Sequence, residues 1–307
     1  MANTNIKYES RVCPSCGCSD TGNVSVSSKH PAEYFDLDDL QSHWNGFFKE
    51  KVIFSYSRCA KCHLLYSPTF FSDGQLEALY AQMPDNTAGV PLEALEKTQK
   101  GYFNILKEYK FEKGGYLETG PDIGLFTKNI ISNPALKKFW LFEPNRTVWP
   151  TLSKLADSDR LHLSAEMFGF SEVPDQSISV AVMIHVLDHL INPVEILKKL
   201  RMKMAPGAVL AVVTHDESSL LAKITGNGWP AYCLQHPQLY SPKTIRALMK
   251  EAGFNVVQVQ RTVNYFPVTY LFKHLLWAFG IRINVPSWDA LQIPLKLGNI
   301  LTIASPE

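Results

Sequence analysis

Tyr116-Leu-Glu-Thr-Gly-Pro-Asp-Ile-Gly-Leu-Phe126 reads as a short apolar strand that breaks into a turn and then opens a helix. A glycine at a strand end lets the backbone turn tightly and come close to a ligand. Gly120 and Gly124 supply that freedom, and Asp122 stands between them where a third glycine often sits. Glu118, two residues before Gly120, would repel a diphosphate and suits a cationic or amine-bearing ligand. Glu143 closes the next apolar run, 23 residues after Gly120. A carboxylate placed there can accept hydrogen bonds from both hydroxyls of a ribose.

Outward from this turn, short apolar runs alternate with helical stretches, the pattern of a parallel α/β sheet. Strands are predicted near Gly115–Thr119, Lys138–Phe142, Arg160–Leu163, Ser177–Ile184 and Ala208–Thr214. Helices are predicted near Leu125–Ser132, Val148–Ala156, Pro193–Met204 and Pro242–Ala252, the last stopped by Gly253. Asn255–Thr262 reads as a sixth strand and Asn299–Ala304 as a seventh. Between them lies an aromatic insert, 264–297, with Tyr265, Phe266, Tyr270, Phe272, Trp277, Phe279 and Trp288. Packed core is the common reason for such a run; an exposed face would mark a lid, a partner or a lipid-like substrate.

The amino-terminal part carries a different signal. Cys13-Pro-Ser-Cys16 and Cys59-Ala-Lys-Cys62 are two C-x-x-C knuckles separated by 42 residues. Two such knuckles can close a tetrahedral four-sulfur shell around one Zn²⁺, and a filled shell leaves no position for reactive water, so the metal is expected to be structural. Cys18 and His63 are spare donors nearby. Residues 8–68 are read as a zinc ribbon, with Lys51–Arg58 as a strand leading to the second knuckle. Residues 69–110 are read as a helical connector, in which Ser72 caps one helix and Pro91–Tyr109 forms another. Residues 111–307 form the ligand-binding domain.

Composition narrows the function classes. The 307 residues hold 30 Lys and Arg against 29 Asp and Glu, a net charge of +1. That neutrality argues against a nucleic-acid binder. The opening residues lack an apolar signal-peptide core, and five of the six cysteines cluster in the first fifth of the chain. A reducing cytoplasm with thiolates on metal is therefore expected. The longest apolar stretch, Tyr265–Ile281, contains Pro267, Lys273 and His274, and no transmembrane helix is read.

Residues 115–305 resemble the class I S-adenosylmethionine-dependent methyltransferases. Leu117–Phe126 is similar to the family's first motif and Leu141-Phe-Glu-Pro144 to its second. His185-Val-Leu-Asp-His-Leu-Ile-Asn-Pro193 is similar to the exit of its fourth strand, and Ala205-Pro-Gly-Ala-Val-Leu210 to the turn before its fifth. Asn227–Tyr232, Gln235–Pro242 and Glu251–Phe254 resemble a subgroup that often carries an N-terminal zinc ribbon. The resemblance implies a Rossmann-like seven-stranded sheet, mostly parallel with the last strand antiparallel. It implies S-adenosyl-L-methionine as cofactor, with Glu118 near the methionine amino end and Gly120, Asp122 and Gly124 in the lining turn. Glu143 would hold the ribose, Ala165 and Glu166 would approach the adenine amine, Phe142 or Phe168 would pack on its ring, and His185 would lie beside the methionine. Asp122 departs from the family pattern.

Methyl transfer to an oxygen needs a proton acceptor, and His is the usual agent. His189 and His236 are the candidates, with Tyr240 as orienting partner. His162, His215 and His274 are expected to be structural or surface residues. The acceptor is a small molecule or a glycan- or lipid-linked intermediate, and a homodimer is left open. A nicotinamide-dependent oxidoreductase on the same sheet is the rival reading, opposed by Glu118 and by the missing middle glycine. A degenerate cofactor binder with an interaction ribbon is a further alternative, motivated by Asp122.

Overall fold

The computed structural model describes residues 8–44, 51–80, 90–166, 168–278 and 291–307. The cysteine-bearing part contributes β1 (Glu9–Ser10), β2 (Val24–Val26), α1 (Leu37–Gln41), β3 (Tyr56–Arg58), β4 (Leu65–Tyr66) and β5 (Thr69–Phe70). The expected strand over Lys51–Arg58 is formed only at its end. Upstream, the backbone N–H groups of Ile53 and Ser55 bond to the side chains of Ser28 and Glu33 rather than to a ladder. Next come α2 (Asp73–Tyr80), capped reciprocally by Ser72 and Gln75, and α3 (Leu92–Leu106). α3 is more than a linker, because its Tyr102 and Leu106 enter the core under the large sheet.

That sheet is built from β6 (Gly114–Thr119), β7 (Leu136–Phe142), β8 (Leu161–Ser164), β9 (Ile178–Ile184), β10 (Met204–His215), β12 (Phe254–Arg261) and β15 (Asn299–Pro306). Its spatial order is β12-β15-β10-β9-β6-β7-β8, and β15 runs antiparallel to both neighbours. The inner strands β6, β9, β10 and β15 are largely apolar on both faces, as a sheet covered on both sides requires. Leu117, Met183, Leu210 and Val212 face one cluster, with Leu197, Leu200, Ile245 and Leu248. Those last four come from α6 (Pro193–Lys203) and α8 (Pro242–Glu251). Tyr116, Leu141, Val180, Val182, Val209 and Val213 face the other, with α3 and α4 (Thr127–Ile130). Order reverses between β6 and β9, and the crevice at their carboxyl ends is where ligands bind in open α/β sheets.

Two predicted helices are short. Leu125–Ser132 is cut to α4 because the tight turns after Gly120 use up its first residues and Pro134 follows its end. Val148–Ala156 is reduced to α5 (Trp149–Leu152), where the Ser153 hydroxyl bonds back to the Trp149 carbonyl. The aromatic insert holds the hairpin β13 (Asn264–Pro267) and β14 (Gln292–Leu295), and α9 (Val268–Ala278). Phe266 stacks on Tyr270 at 5.9 Å and Phe272 is half exposed. Phe279 and Trp288, and the side chains of Trp277 and His274, lie outside what is described. Among the described residues no helix is long and apolar enough to cross a membrane.

The two parts of the chain share a sheet. β11 (Gln238–Leu239), from the segment before α8, pairs with β4, giving the order β11-β4-β3-β2. Arg11 ties the same junction. Its guanidinium donates to the Ile191 carbonyl at 2.7 Å, to the Gln238 side chain at 3.2 Å and, more weakly, to the carbonyls of Ser67 and Pro237. Burial pushes its pKa down to about 10. Replacing Arg11 by Met strands these acceptors, and urea unfolding should show a loss of about 2–4 kcal/mol. A loss under about 0.5 kcal/mol, the range of ordinary surface substitutions, refutes this role.

Candidate active site and cysteine cluster

Thr119 ends β6, and the chain turns through three left-handed residues: Gly120 (φ 63°), Asp122 (φ 53°) and Gly124 (φ 75°). Asp is among the few residues that accept this conformation, so the turn keeps its course without the middle glycine. Gly120 and Gly124 are required sterically as well. A Cβ on Gly120 would lie 2.8 Å from Val186, and one on Gly124 would lie 2.6 Å from Leu155. The turn aims the Asp122 N–H at Glu143 Oε2, 2.9 Å away, while the Asn145 N–H donates to Oε1 at 2.8 Å. Each carboxylate oxygen retains a lone pair for a further donor. Burial raises Glu143 above the usual carboxylate range, against the pull of these two N–H groups.

Glu118 is 2% exposed. Its Oε2 accepts hydrogen bonds from Tyr116 at 2.6 Å and from the Thr127 hydroxyl. Burial pushes its pKa up to about 7, above what those two bonds can offset. Phe142 is 2% exposed and meets Phe170 edge-on at 5.1 Å, whereas Phe168 is half-buried. Ala165 and Glu166 follow β8, and the Glu166 N–H is held by the Ser164 hydroxyl.

The second feature gathers where β9 and β10 end. His185 leaves β9 in the left-handed region (φ 53°), its N–H on the Val213 carbonyl. The helical turn 187–189 then brings Asp188, fully buried, against His215 at the end of β10. Asp188 Oδ2 accepts from the His215 backbone at 2.9 Å and lies 2.6 Å from His215 Nδ1. His236 joins from the segment before β11, with ring centroids 4.8 Å from His215 and 4.7 Å from His189; His185 is 4.7 Å from His215. The four imidazoles come from three chain segments.

Burial pushes His185 down to about 3 and His189 well below its ordinary value, and it also lowers His215 despite Asp188. Burial opposes charge on Asp188 too, but the His215 hydrogen bond holds its carboxyl below the ordinary value. His236 behaves differently. Burial opposes its charge, yet the Cys233 sulfur, 3.3 Å from Nδ1, lifts it to about 9. Its Nδ1 also lies 2.7 Å from the Ala231 carbonyl. That contact makes Nδ1 a donor and turns the Nε2 lone pair outward in the neutral ring. Tyr240 is fully buried and donates to the Leu187 carbonyl at 3.3 Å. Gln238 donates to Leu187 and Leu190, so both residues hold the turn that carries Asp188 and His189.

The cysteine-bearing part backs this site. Tyr56 donates to the His236 carbonyl at 2.6 Å, and Lys51 donates to the carbonyls of Trp229 and Tyr232. Trp229 is nearly fully buried, its ring 6.2 Å from His215. The sulfurs of Cys13, Cys16, Cys59 and Cys62 all lie within 4.8 Å of one another, with the closest pairs at 3.4 and 3.5 Å. Tetrahedral Zn–S bonds of 2.3 Å put sulfurs about 3.8 Å apart, so the four fit a zinc ion. The knuckles are built alike: the first cysteine N–H bonds the carbonyl five residues on, and Gly17 and His63 occupy matching left-handed positions. Cys18 and His63 stand outside the cluster.

Of the residues nominated from the sequence, His185, His189 and His236 meet in this cluster and Glu143 stands at the turn after β6; Asp188 and His215, not among the nominated site residues, join the histidines. The signal for His215 was its place at the end of an apolar strand feeding the same crevice. Two surface cavities, of about 370 and 410 Å³, lie elsewhere, at the amino-terminal ends of the strands beside Asn133 and Gly207.

A family profile described as a methyltransferase domain matches residues 95–259, more than half of the chain. The chain belongs to that family, and its sheet and family together make it a class I S-adenosylmethionine-dependent methyltransferase. No curated protein sequence matches it. Among solved structures, one chain of the complex between the Haloferax volcanii Trm112 methyltransferase activator and a protein assigned as a methyltransferase shares the fold. It is 12% identical, with 69% of this chain and 91% of that one covered, at a TM-score of 0.50. S-adenosylmethionine-dependent methyltransferases from Thermotoga maritima (14% identical, covering 69% and 91%, TM-score 0.46) and Aquifex aeolicus (15%, 71% and 94%, 0.47) are also similar.

A buried acid whose folded pKa is about 7, against an ordinary 4.5, destabilises the fold as pH rises between those values. Stability carried by Glu118 is complete below the lower value and is lost through the higher. In the cofactor-free protein, Glu118→Gln should therefore raise unfolding stability by about 1–3 kcal/mol near pH 8 and by much less near pH 5. An equal change at both pH values refutes the assignment.

Proposed function

We propose that this methyltransferase acts on an oxygen of a small molecule or of a glycan- or lipid-linked intermediate. Glu143, anchored by two backbone N–H groups and keeping lone pairs for a ribose, is the observation that carries the cofactor side of the reading. Glu118 and the Gly120–Gly124 turn take the methionine end, where a cationic amine would offset the burial that opposes the Glu118 charge. Ala165 and Glu166 approach the adenine, and Phe168, with more accessible surface than Phe142, packs on its ring.

When bound, the cofactor supplies a methyl group on a sulfonium; an acceptor oxygen forms the new C–O bond as the C–S electron pair stays with sulfur. The protein's work is positioning, exclusion of water and removal of one proton. In its neutral form, which a pKa of about 9 places at alkaline pH, His236 Nε2 takes the proton from the acceptor hydroxyl. The carbonyl of Ala231 holds the ring in the tautomer that this requires. His189 packs edge-on to His236 and keeps it in place. Tyr240 and Gln238 position the 187–190 turn, and Trp229 walls the acceptor side. The cysteine cluster holds a structural Zn²⁺ with no open coordination position, and it stabilises the part of the chain that supports residues 226–240.

S-adenosylhomocysteine should raise the melting temperature and NAD should not, and Glu143→Ala should abolish most of the rise. Equal binding by the variant would remove the ribose assignment. In a labelled-methyl screen over hydroxyl-bearing acceptors, His236→Gln should lower kcat about 10²–10⁴-fold with S-adenosylhomocysteine binding intact. Full turnover in that variant would strike His236 from the reaction. The purified chain should also carry zinc that is lost on joint replacement of Cys13 and Cys59 by Ser; native, reduced protein without zinc contradicts the ribbon reading.

A further inference from the structure

The methyl-transfer reading leaves three groups of the histidine cluster without a task. Asp188 uses only one of its oxygens: Oδ2 meets the backbone and ring of His215, while Oδ1 is buried with no partner. His185 Nδ1 is likewise buried with no partner. The residues that carry them form one constellation, because one possible ligand atom from each of His185, Asp188 and His215 lies within 4.8 Å of the other two. A proton shared between Asp188 and His215 accounts for Oδ2 alone. It leaves the second carboxylate oxygen and the His185 nitrogen buried and unsatisfied, a costly arrangement for charged and polar atoms.

A cation held among these three residues would give both a partner. We propose that His185, Asp188 and His215 bind a divalent first-row transition metal, separate from the cysteine cluster, whose open positions hold the oxygen of the methyl acceptor. Two imidazoles and one carboxylate suit zinc, iron, cobalt or manganese and do not suit magnesium or calcium, which take oxygen donors. Metal–ligand bonds of about 2.0–2.2 Å require donors about 3–4 Å apart, so His185 must draw in from within 4.8 Å, and Asp188 and His215, 2.6 Å apart at their closest, must bind through other atoms or part slightly. Three protein ligands leave positions open, as reactive metal sites do. The surroundings have the form of a ligand shell. The Asn299 amide nitrogen stands 3.3 Å from His185 Nε2; the amide turned over would place its oxygen there, accept the Nε2 proton and leave the Nδ1 lone pair for a metal. His185 also sits in the left-handed region, a conformation that side chains avoid unless the surroundings hold them there.

The inference rests on the methyl-transfer reading for its purpose. A metal-held hydroxyl loses its proton more readily, and that proton passes to His236 when its ring is neutral. It predicts acceptors with a hydroxyl that can reach the metal.

The test is a Co²⁺ titration of the full-length chain with its cysteine cluster filled by zinc. The expected result is one further equivalent of metal, with visible d–d bands and no thiolate-to-cobalt charge-transfer band. Asp188→Asn should weaken this binding at least about 100-fold, and His215→Asn provides a second variant if the first folds poorly. Failure to take up a second equivalent, or unchanged affinity in both variants, overturns the proposal. The S-adenosylhomocysteine melting shift is measured on the same samples. Its persistence beside a failed titration removes the metal alone, and its absence in the wild type strikes the cofactor reading whatever cobalt does.

Discussion

One carboxylate with two backbone donors holds the ligand end of the large sheet together. Glu143 ends β7 and receives N–H groups from Asp122, in the turn after β6, and from Asn145, in the turn after β7. The two turns that would flank a nucleoside are thereby fixed to each other. Hydrogen bonds to a charged acceptor are worth about 1.5–3 kcal/mol each, more than the roughly 1–2 kcal/mol that a left-handed residue costs. Asp122 therefore stays in a conformation that exposes its N–H to Glu143, and the absent middle glycine costs the turn little.

The acceptor side depends on the other end of the chain. β11 belongs to a sheet whose remaining strands lie in the cysteine-bearing part, and Lys51, Tyr56 and Arg11 bind the backbone carbonyls of Tyr232, His236 and Pro237. The segment 226–240 has little regular structure of its own, so its course is imposed by these contacts. The cysteine-bearing part thus sets the geometry of the loop that carries His236. The charge balance within that loop follows from burial. Imidazoles packed away from water stay neutral unless a partner compensates, as Cys233 does for His236.

Much of the fold was legible because its signals are local. Apolar runs of strand length, the glycines at 120 and 124, and the proline at the start of α8 each act within a few residues, and the predicted strands agree with the observed ones to within a few positions. Helix lengths were less legible. α4 and α5 are shortened by turn hydrogen bonds and by a following proline, effects that periodicity alone does not register. The run before β3 alternates like a strand, but its N–H groups found side-chain acceptors from Ser28 and Glu33, 22 to 25 residues distant.

By itself, the sequence determined the α/β class, the glutamate that closes the second strand and the pairing of cysteines into knuckles, since each depends on short spacing along the chain. Tertiary structure alone decided that His185, Asp188, His215 and His236 share one cluster, and that β11 pairs with a strand some 170 residues earlier. Such meetings arise from strand order and from the burial of two packed faces. Contacts of that range leave no periodic trace in the chain, because the residues that form them are chosen by their neighbours in space.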